Sequence, residues 1–351
     1  MPTYLNRAIS ALFCALSLAL VVIPAQSQTL QTLATYDKPD RQQYLIQGAK
    51  KEGSVTVYAA MPRIYFNQLI EPFEKKYGVK VNYWQATGET ILQKVVHEAN
   101  GGISNADVIH STAVVLEALV AENMLQEIHS PVHKSLIPAA VPAHRLYAST
   151  LQYVLVQAYN TGKVKKEDLP KTYEDLLAPK WKGQLAMEAD DAEWMSSVIK
   201  DMGEAKGVQY FKDLVANNSL SVRKGHTLLV NLVASGEVPL ALTVYQYSVE
   251  QMKKKNAPID WFAIEPAVSV MSGIGVAKKA PHPFAAILFY DYMLSPEAQT
   301  IIARRLGYVP TSTAVESPLK GVRLKYLDGA DLFKDQDKSS AQMQAIFKTT
   351  R

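Results

Sequence analysis

The chain has 351 residues, 48% hydrophobic and 20% charged with both signs intermixed, which excludes a disordered chain and leaves room for two domains with separate cores. A formal charge of +4, with no basic block beyond Lys253-Lys254-Lys255, argues against nucleic acid as a partner. The single cysteine, Cys14, lies in an apolar leader, so the exported chain has no thiol nucleophile, thiolate metal site or disulfide.

Arg7, the apolar run 8–23 and the small-x-small segment Pro24-Ala25-Gln26-Ser27 read as an export signal over 1–27. The run stops short of the ~20 apolar residues a membrane-spanning helix needs. Asp37-Lys38-Pro39 opens an amphipathic helix that Gly53 stops, and a buried strand over 54–60 follows. Pro62 suits a first helical position, and Ile64, Phe66, Leu69, Ile70, Phe73 and Tyr77 repeat at helical spacing up to Gly78, with a kink expected at Pro72. A strand over 79–84, a helix over 88–100, a strand over 107–110 and a helix over 112–123 continue the alternation. That rhythm predicts a mostly parallel sheet with helices on both faces.

The rhythm changes over 147–159, a strand-like run long enough to leave one domain and enter another. Beyond it come a short helix closed by Pro179, a strand over 184–188, helices over 204–217 and 226–235, a strand over 238–244 and a helix after Tyr245. Extended runs over 260–265 and 268–276 return, and helices over 283–294 and 296–306 follow. Two crossings without a floppy linker predict an α/β fold of two doubly wound lobes joined by a two-crossing hinge, with a cleft able to close over a ligand. The expected lobes are 28–148 with 268–351, and 149–267.

The chain is organised around 180–194, where Glu188, Asp190, Asp191 and Glu193 fall at the turn from a strand's carboxyl end into a helix. In open α/β sheets ligands meet the protein at such turns. Asp190 reads as the N-cap and Glu193 as its capping-box partner, which leaves Asp191 and Glu188 free to touch a solute. Enzyme machinery is missing. Gly48 and Gly53 lead to Ser54 rather than to Lys-Ser or Lys-Thr, His97-Glu98 has no second histidine, Gly273-Ile274-Gly275 lacks a third glycine, and no Gly-x-Ser-x-Gly elbow occurs. The seven histidines are scattered and are expected on surfaces or strand ends.

The sequence resembles the extracellular solute-binding proteins of bacterial ABC importers, type II periplasmic-binding fold, in the ferric-iron or iron-complex branch. The resemblance rests on Lys51-Glu52-Gly53, on Phe73-Glu74-Lys75-Lys76-Tyr77-Gly78-Val79-Lys80-Val81, on Ala106-Asp107-Val108 and on Tyr159-Asn160-Thr161. It continues through Asp175-Leu176-Leu177-Ala178-Pro179-Lys180-Trp181-Lys182-Gly183, Ser272-Gly273-Ile274 and Leu294-Ser295-Pro296-Glu297-Ala298-Gln299. It implies a periplasmic monomer that captures a small solute and delivers it to an inner-membrane permease driven by a separate ATPase. No resident cofactor is expected, so any bound Fe3+ is cargo.

By position, the resemblance implies a binding set of Arg63, Ser111, Thr112, Gln152, Asp190, Asp191, Glu193, Trp194, Tyr245, Tyr247 and Ser272. Arg63, in the first turn of a helix, suits an anionic group, or is simply solvated. Ser111 and Thr112 suit N-caps or the cleft, Gln152 the hinge or the site, and Trp194 the core or a lid over an organic ligand. Phenolates and carboxylates are the hard oxygen donors ferric iron prefers, which makes Tyr245, Tyr247 and Asp191 the metal set. The ferric branch carries two adjacent tyrosines where this chain has Tyr245-Gln246-Tyr247, and on an extended backbone these rings would lie ~6.5 to 7 Å apart. Iron or an iron complex is preferred to a small organic anion or zwitterion. A secreted hydrolase built on Asp191 and Glu188, and a sensor presenting its liganded form to a receptor, are the other classes.

Overall fold

The structure, a computed structural model, describes residues 25–348. The expected export signal lies outside the described residues except for 25–27, which open the first helix. The first half of the fold runs α1 (Ala25–Ala34), α2 (Arg41–Glu52), β1 (Ser54–Ala59), α3 (Arg63–Tyr77), β2 (Lys80–Gln85), α4 (Gly88–Asn100), β3 (Val108–Thr112), α5 (Ala113–Ala121) and β4 (Ala148–Asn160). The chain then forms β5 (Leu185–Glu188), α6 (Ala192–Met202), α7 (Glu204–Asn218), β6 (Ser221–Arg223), α8 (His226–Ser235), β7 (Leu240–Tyr245), α9 (Gln246–Lys253) and β8 (Ile259–Phe262). It returns through β9 (Ala267–Val276), α10 (Pro283–Leu294), α11 (Pro296–Arg304), β10 (Val309–Pro310), β11 (Leu324–Tyr326) and α12 (Gly329–Lys348). No helix among the described residues is long and apolar enough to cross a membrane.

The strand order is β2-β1-β3-β9-β4-β7-β5-β6. Parallel pairs build each side, β1 with β2 and β3 in one and β5 with β6 and β7 in the other. The antiparallel strands β4 and β9 join the sides. The first half of β4 pairs with β9 and its second half with β7 and β8. Two α/β lobes therefore share two long crossing strands, as the alternation and the two extended runs imply.

Local chemistry explains the element ends. Apolar residues three and four apart put Phe66, Leu69, Ile70 and Phe73 on the buried face of α3, which ends where Gly78 takes up a left-handed φ of 68°. Pro62 stands just before that helix rather than at its first position, because the Gln85 side chain accepts the Arg63 N–H and fixes the start there. The helix runs unbroken through Pro72.

One core cluster gathers apolar residues up to Leu151 together with those from Ile274 to Tyr308, with Phe73 in ring contact with Phe289 and Tyr292. Two further clusters gather residues between Val154 and Val268, one of them together with Val309 and Leu319. The C-terminal helix, assigned to the first lobe by the sequence, packs against α5, α6 and α7 and buries Met343 and Ile346 in a cluster of the second.

The polar residues of β4 are buried and satisfied. Gln152 donates to the Pro310 carbonyl (2.8 Å) and accepts from the Ser269 hydroxyl (3.1 Å), while Gln157 donates to the Leu242 carbonyl (3.1 Å) and accepts from the Ile264 N–H (2.7 Å). Such pairs avoid the ~1–3 kcal/mol cost of an orphaned buried group and fix the register of the crossing.

Candidate site between the lobes

The turn after β5 is built by Glu188. Its N–H donates to the Thr243 hydroxyl on β7 (2.9 Å), and its carboxylate accepts the N–H groups of Asp190 and of Gly225 (2.7 Å). A carboxylate expected to touch a solute is thus wholly buried, where it ties the turn to the residue before α8. The helix starts one residue later than expected, so Asp191, not Asp190, stands at the N-cap, and it makes no side-chain capping bond. Its Oδ1 lies instead 3.3 Å from His226 Nε2. No capping box forms with Glu193, because the half-buried His226 imidazole engages the carboxylate that stands at the helix end.

The two tyrosines do not share an extended strand. Tyr245 ends β7 and Tyr247 lies in the first turn of α9, and the change of backbone brings their rings into a stack with centroids 5.8 Å apart and planes 15° apart. Tyr153, the one partly exposed residue of β4, lies 5.2 Å from Tyr245 and 6.1 Å from Tyr247. Tyr308 stands 4.4 Å from Tyr247. Tyr245 also meets the His226 ring, with centroids 4.0 Å apart.

A cavity of about 530 Å³ opens beside these rings. The first lobe contributes Ala60 and Thr112, the second Asp190, Glu193, Tyr245 and Tyr247, the crossing strands Tyr153 and Met271, and α12 Leu332, Gln336 and Ser339. Its lining carries two carboxylates and three phenols and no lysine, arginine or histidine. An adjoining space of about 1060 Å³, between α12 and the α7–β6 side, is larger but is lined mostly by apolar and hydroxyl side chains.

Electrostatics follow from burial. Burial, then the charge of Asp191, pushes the Glu193 carboxyl up to about 7. Burial raises the Tyr245 phenol well above its usual value, and the carboxylates of Asp191 and Glu193 raise it further. Burial also raises Tyr153 and Tyr247. Burial leads every one of these shifts, and it favours the neutral form of each group.

Of the residues expected at the site, Thr112, Asp190, Glu193, Tyr245 and Tyr247 line the cavity. Arg63 does not. It is exposed, its guanidinium donates to the Tyr83 carbonyl (2.8 Å) and lies over the Tyr83 ring, so it belongs to the outer edge of β2. Ser272 donates to the Ser111 carbonyl (2.7 Å), and both serines are buried in the β3–β9 pairing. Gln152 serves the crossing. Asp191 sits behind the wall with His226. Trp194 is 1% exposed and packs edge-on against Phe211 and Tyr173, so it is core and not a lid.

Sequence reasoning misses Tyr153, Tyr308 and His226. A Gly-His pair opening a helix is a usable signal for His226; nothing local marks the other two.

The family profile described as bacterial extracellular solute-binding protein matches residues 68–322. Curated relatives include iron uptake protein A1 of Synechocystis sp., 26% identical over 293 residues, covering 76% of this chain and 80% of that protein. The Fe(3+)-binding periplasmic protein of Serratia marcescens is 23% identical over 305 residues, covering 82% and 88%. Among solved structures, iron-bound HitA from Pseudomonas aeruginosa superposes with a TM-score of 0.72 at 21% identity, covering 84% of this chain and 99% of that one, which establishes the shared fold. The relatives are named as binding and uptake proteins, not as enzymes. With two lobes, two crossing strands and a cavity between them, this chain belongs to the bacterial extracellular solute-binding proteins.

Proposed function

We propose that this protein captures a positively charged solute in the interlobe cavity, ferric iron or an iron complex foremost, and hands it to an ABC permease energised by a separate ATPase. It does so in the periplasm, as a monomer, after loss of its export signal. One observation carries the reading: a cavity lined by Asp190, Glu193, Tyr153, Tyr245 and Tyr247 with no basic side chain offers hard oxygen donors and no counter-charge for an anion. With Arg63 outside the cavity, a purely anionic organic ligand loses the cation that would have held it. The relatives named for iron uptake and ferric binding point the same way.

The lobes in this reading are 28–148 with 268–351, and 149–267, and they close about β4 and β9 with α12 lying across both. Ferric binding must displace protons from phenols whose affinity for them is raised, so uptake releases protons and weakens as pH falls.

Titration of the chelator-treated protein with ferric citrate tests the reading. Saturable uptake with a visible tyrosinate-to-iron absorption band is expected, lost in Tyr245→Phe with Tyr247→Phe. Unchanged affinity in that double variant, or no uptake at all, removes the metal. The stacked ring faces beside Glu193 support a second reading, an organic ammonium or zwitterion held by cation–π contact. In that case an amino-acid-like panel binds and iron does not.

A further inference from the structure

We propose that Glu188, Asp191 and His226 form a second cation site inside the second lobe, separate from the cargo cavity, which takes one divalent transition ion of the zinc type. One donor atom from each of the three lies within 4.8 Å of the other two. The donors come from the end of β5, the start of α6 and the start of α8, three positions held by the Glu188–Thr243 and Glu188–Gly225 hydrogen bonds and by the Ala189 N–H to Arg223 carbonyl bond (3.0 Å). None of the three lines the cavity, and His226 packs against Tyr245, which does.

One polar atom points to a missing partner. The Asp191 side chain is 2% exposed and its Oδ2 has no hydrogen bond. Buried polar atoms are nearly always satisfied, so this orphan beside a second carboxylate and an imidazole calls for a ligand. Glu188 does not saturate its oxygens on the two backbone N–H groups, since each carboxylate oxygen keeps a further lone pair.

The charge count gives the valence. Glu188 and Asp191 bring two negative charges and a neutral imidazole none, which is the charge one divalent ion cancels. One imidazole and two carboxylates match the N/O donor set of zinc, with a fourth position left for water. The ion would also hold the His226 ring against Tyr245 and so fix one wall of the cavity.

Tag-free, chelator-treated protein is titrated with Zn2+, with stoichiometry read by elemental analysis, and with Co2+, whose visible bands report an imidazole–oxygen site. One ion per chain is expected. Asp191→Asn and His226→Gln should each weaken uptake by about a hundredfold or more, while Tyr247→Phe leaves it unchanged. No uptake of either ion by the unaltered protein, or equal uptake in both ligand variants, overturns the proposal. If the variants do not fold by circular dichroism, the Co2+ spectrum of the unaltered protein decides, and absent bands overturn it. Because the cargo cavity is not involved, failure of ferric citrate to bind leaves this site standing.

Discussion

Asp107 shows how one buried carboxylate can hold a lobe together. It accepts the Thr56 N–H (2.7 Å), the His282 N–H (2.6 Å) and the His282 ring at Nδ1 (2.9 Å), joining β1 to the start of α10. The bond to Asp107 raises the histidine's proton affinity more than burial lowers it, with Glu52 adding to the rise. A folded value above the unfolded one places the stabilisation below the unfolded pKa of ~6.5, and it disappears as pH rises through the folded value. His282→Asn should therefore lower the urea midpoint more at pH 6 than at pH 8.5. The ring is partly exposed, so the difference is less than about 1 kcal/mol after solvent screening. Equal losses at both pH values would rule the pair out as a pH-linked contact. Trp194 gives a larger effect of a different kind: Trp194→Ala opens a cavity beside Phe211 and costs about 3–5 kcal/mol. Because the ring is core, Trp194→Phe should keep cargo affinity; a tenfold loss would restore the lid.

At the scale of elements, β4 and β9 carry the architecture, and their contact is close. A Cβ on Gly273 would lie 2.6 Å from the Ala148 carbonyl oxygen, a backbone atom with no freedom to retreat. Gly273→Ala should destabilise by about 1–3 kcal/mol, read from the urea midpoint. A neutral result would mean that the strands can slide apart without cost.

The elements legible in the sequence are those whose own periodicity is strong: α3 with its buried Phe66, Leu69 and Phe73, and the near-continuous apolar strand β4. The crossing itself is visible because no flexible segment separates the alternating units. What is not legible depends on partners distant in sequence. The start of α6 lies one residue later because His226, on a different helix, engages Asp191. The sequence opens a helix after Tyr245, where α9 begins, but the ring spacing read from it assumes an extended backbone, whereas the change from β7 to α9 sets the stack. Arg63 reads as a ligand from its place at a helix start, yet the Tyr83 carbonyl and ring, on the neighbouring strand, decide where it points.

For the whole molecule, the two shared strands and α12 together determine how separately the halves can unfold. Helix α12 lies against α5 on one side and α6 and α7 on the other, and its Met343 and Ile346 complete a core cluster built from residues far away in sequence. The exposed pairs Lys200–Asp335 (2.9 Å) and Gln342–Glu204 (2.6 Å) add at most about 1 kcal/mol each, so apolar burial contributes more to holding this helix in place. Neither sheet can come apart without stripping hydrogen bonds from β4, which pairs with β9 through its first half and with β7 and β8 through its second. Calorimetry should therefore show a single transition whose calorimetric and van't Hoff enthalpies agree. Met343→Ala, costing about 2–5 kcal/mol, loosens the clasp of α12 on the second lobe without touching either crossing strand. The transition should then move to lower temperature and stay single if the strands alone couple the lobes, or split in two if α12 is needed. Two transitions in the unaltered protein would show that the crossing is a flexible tether rather than a shared framework.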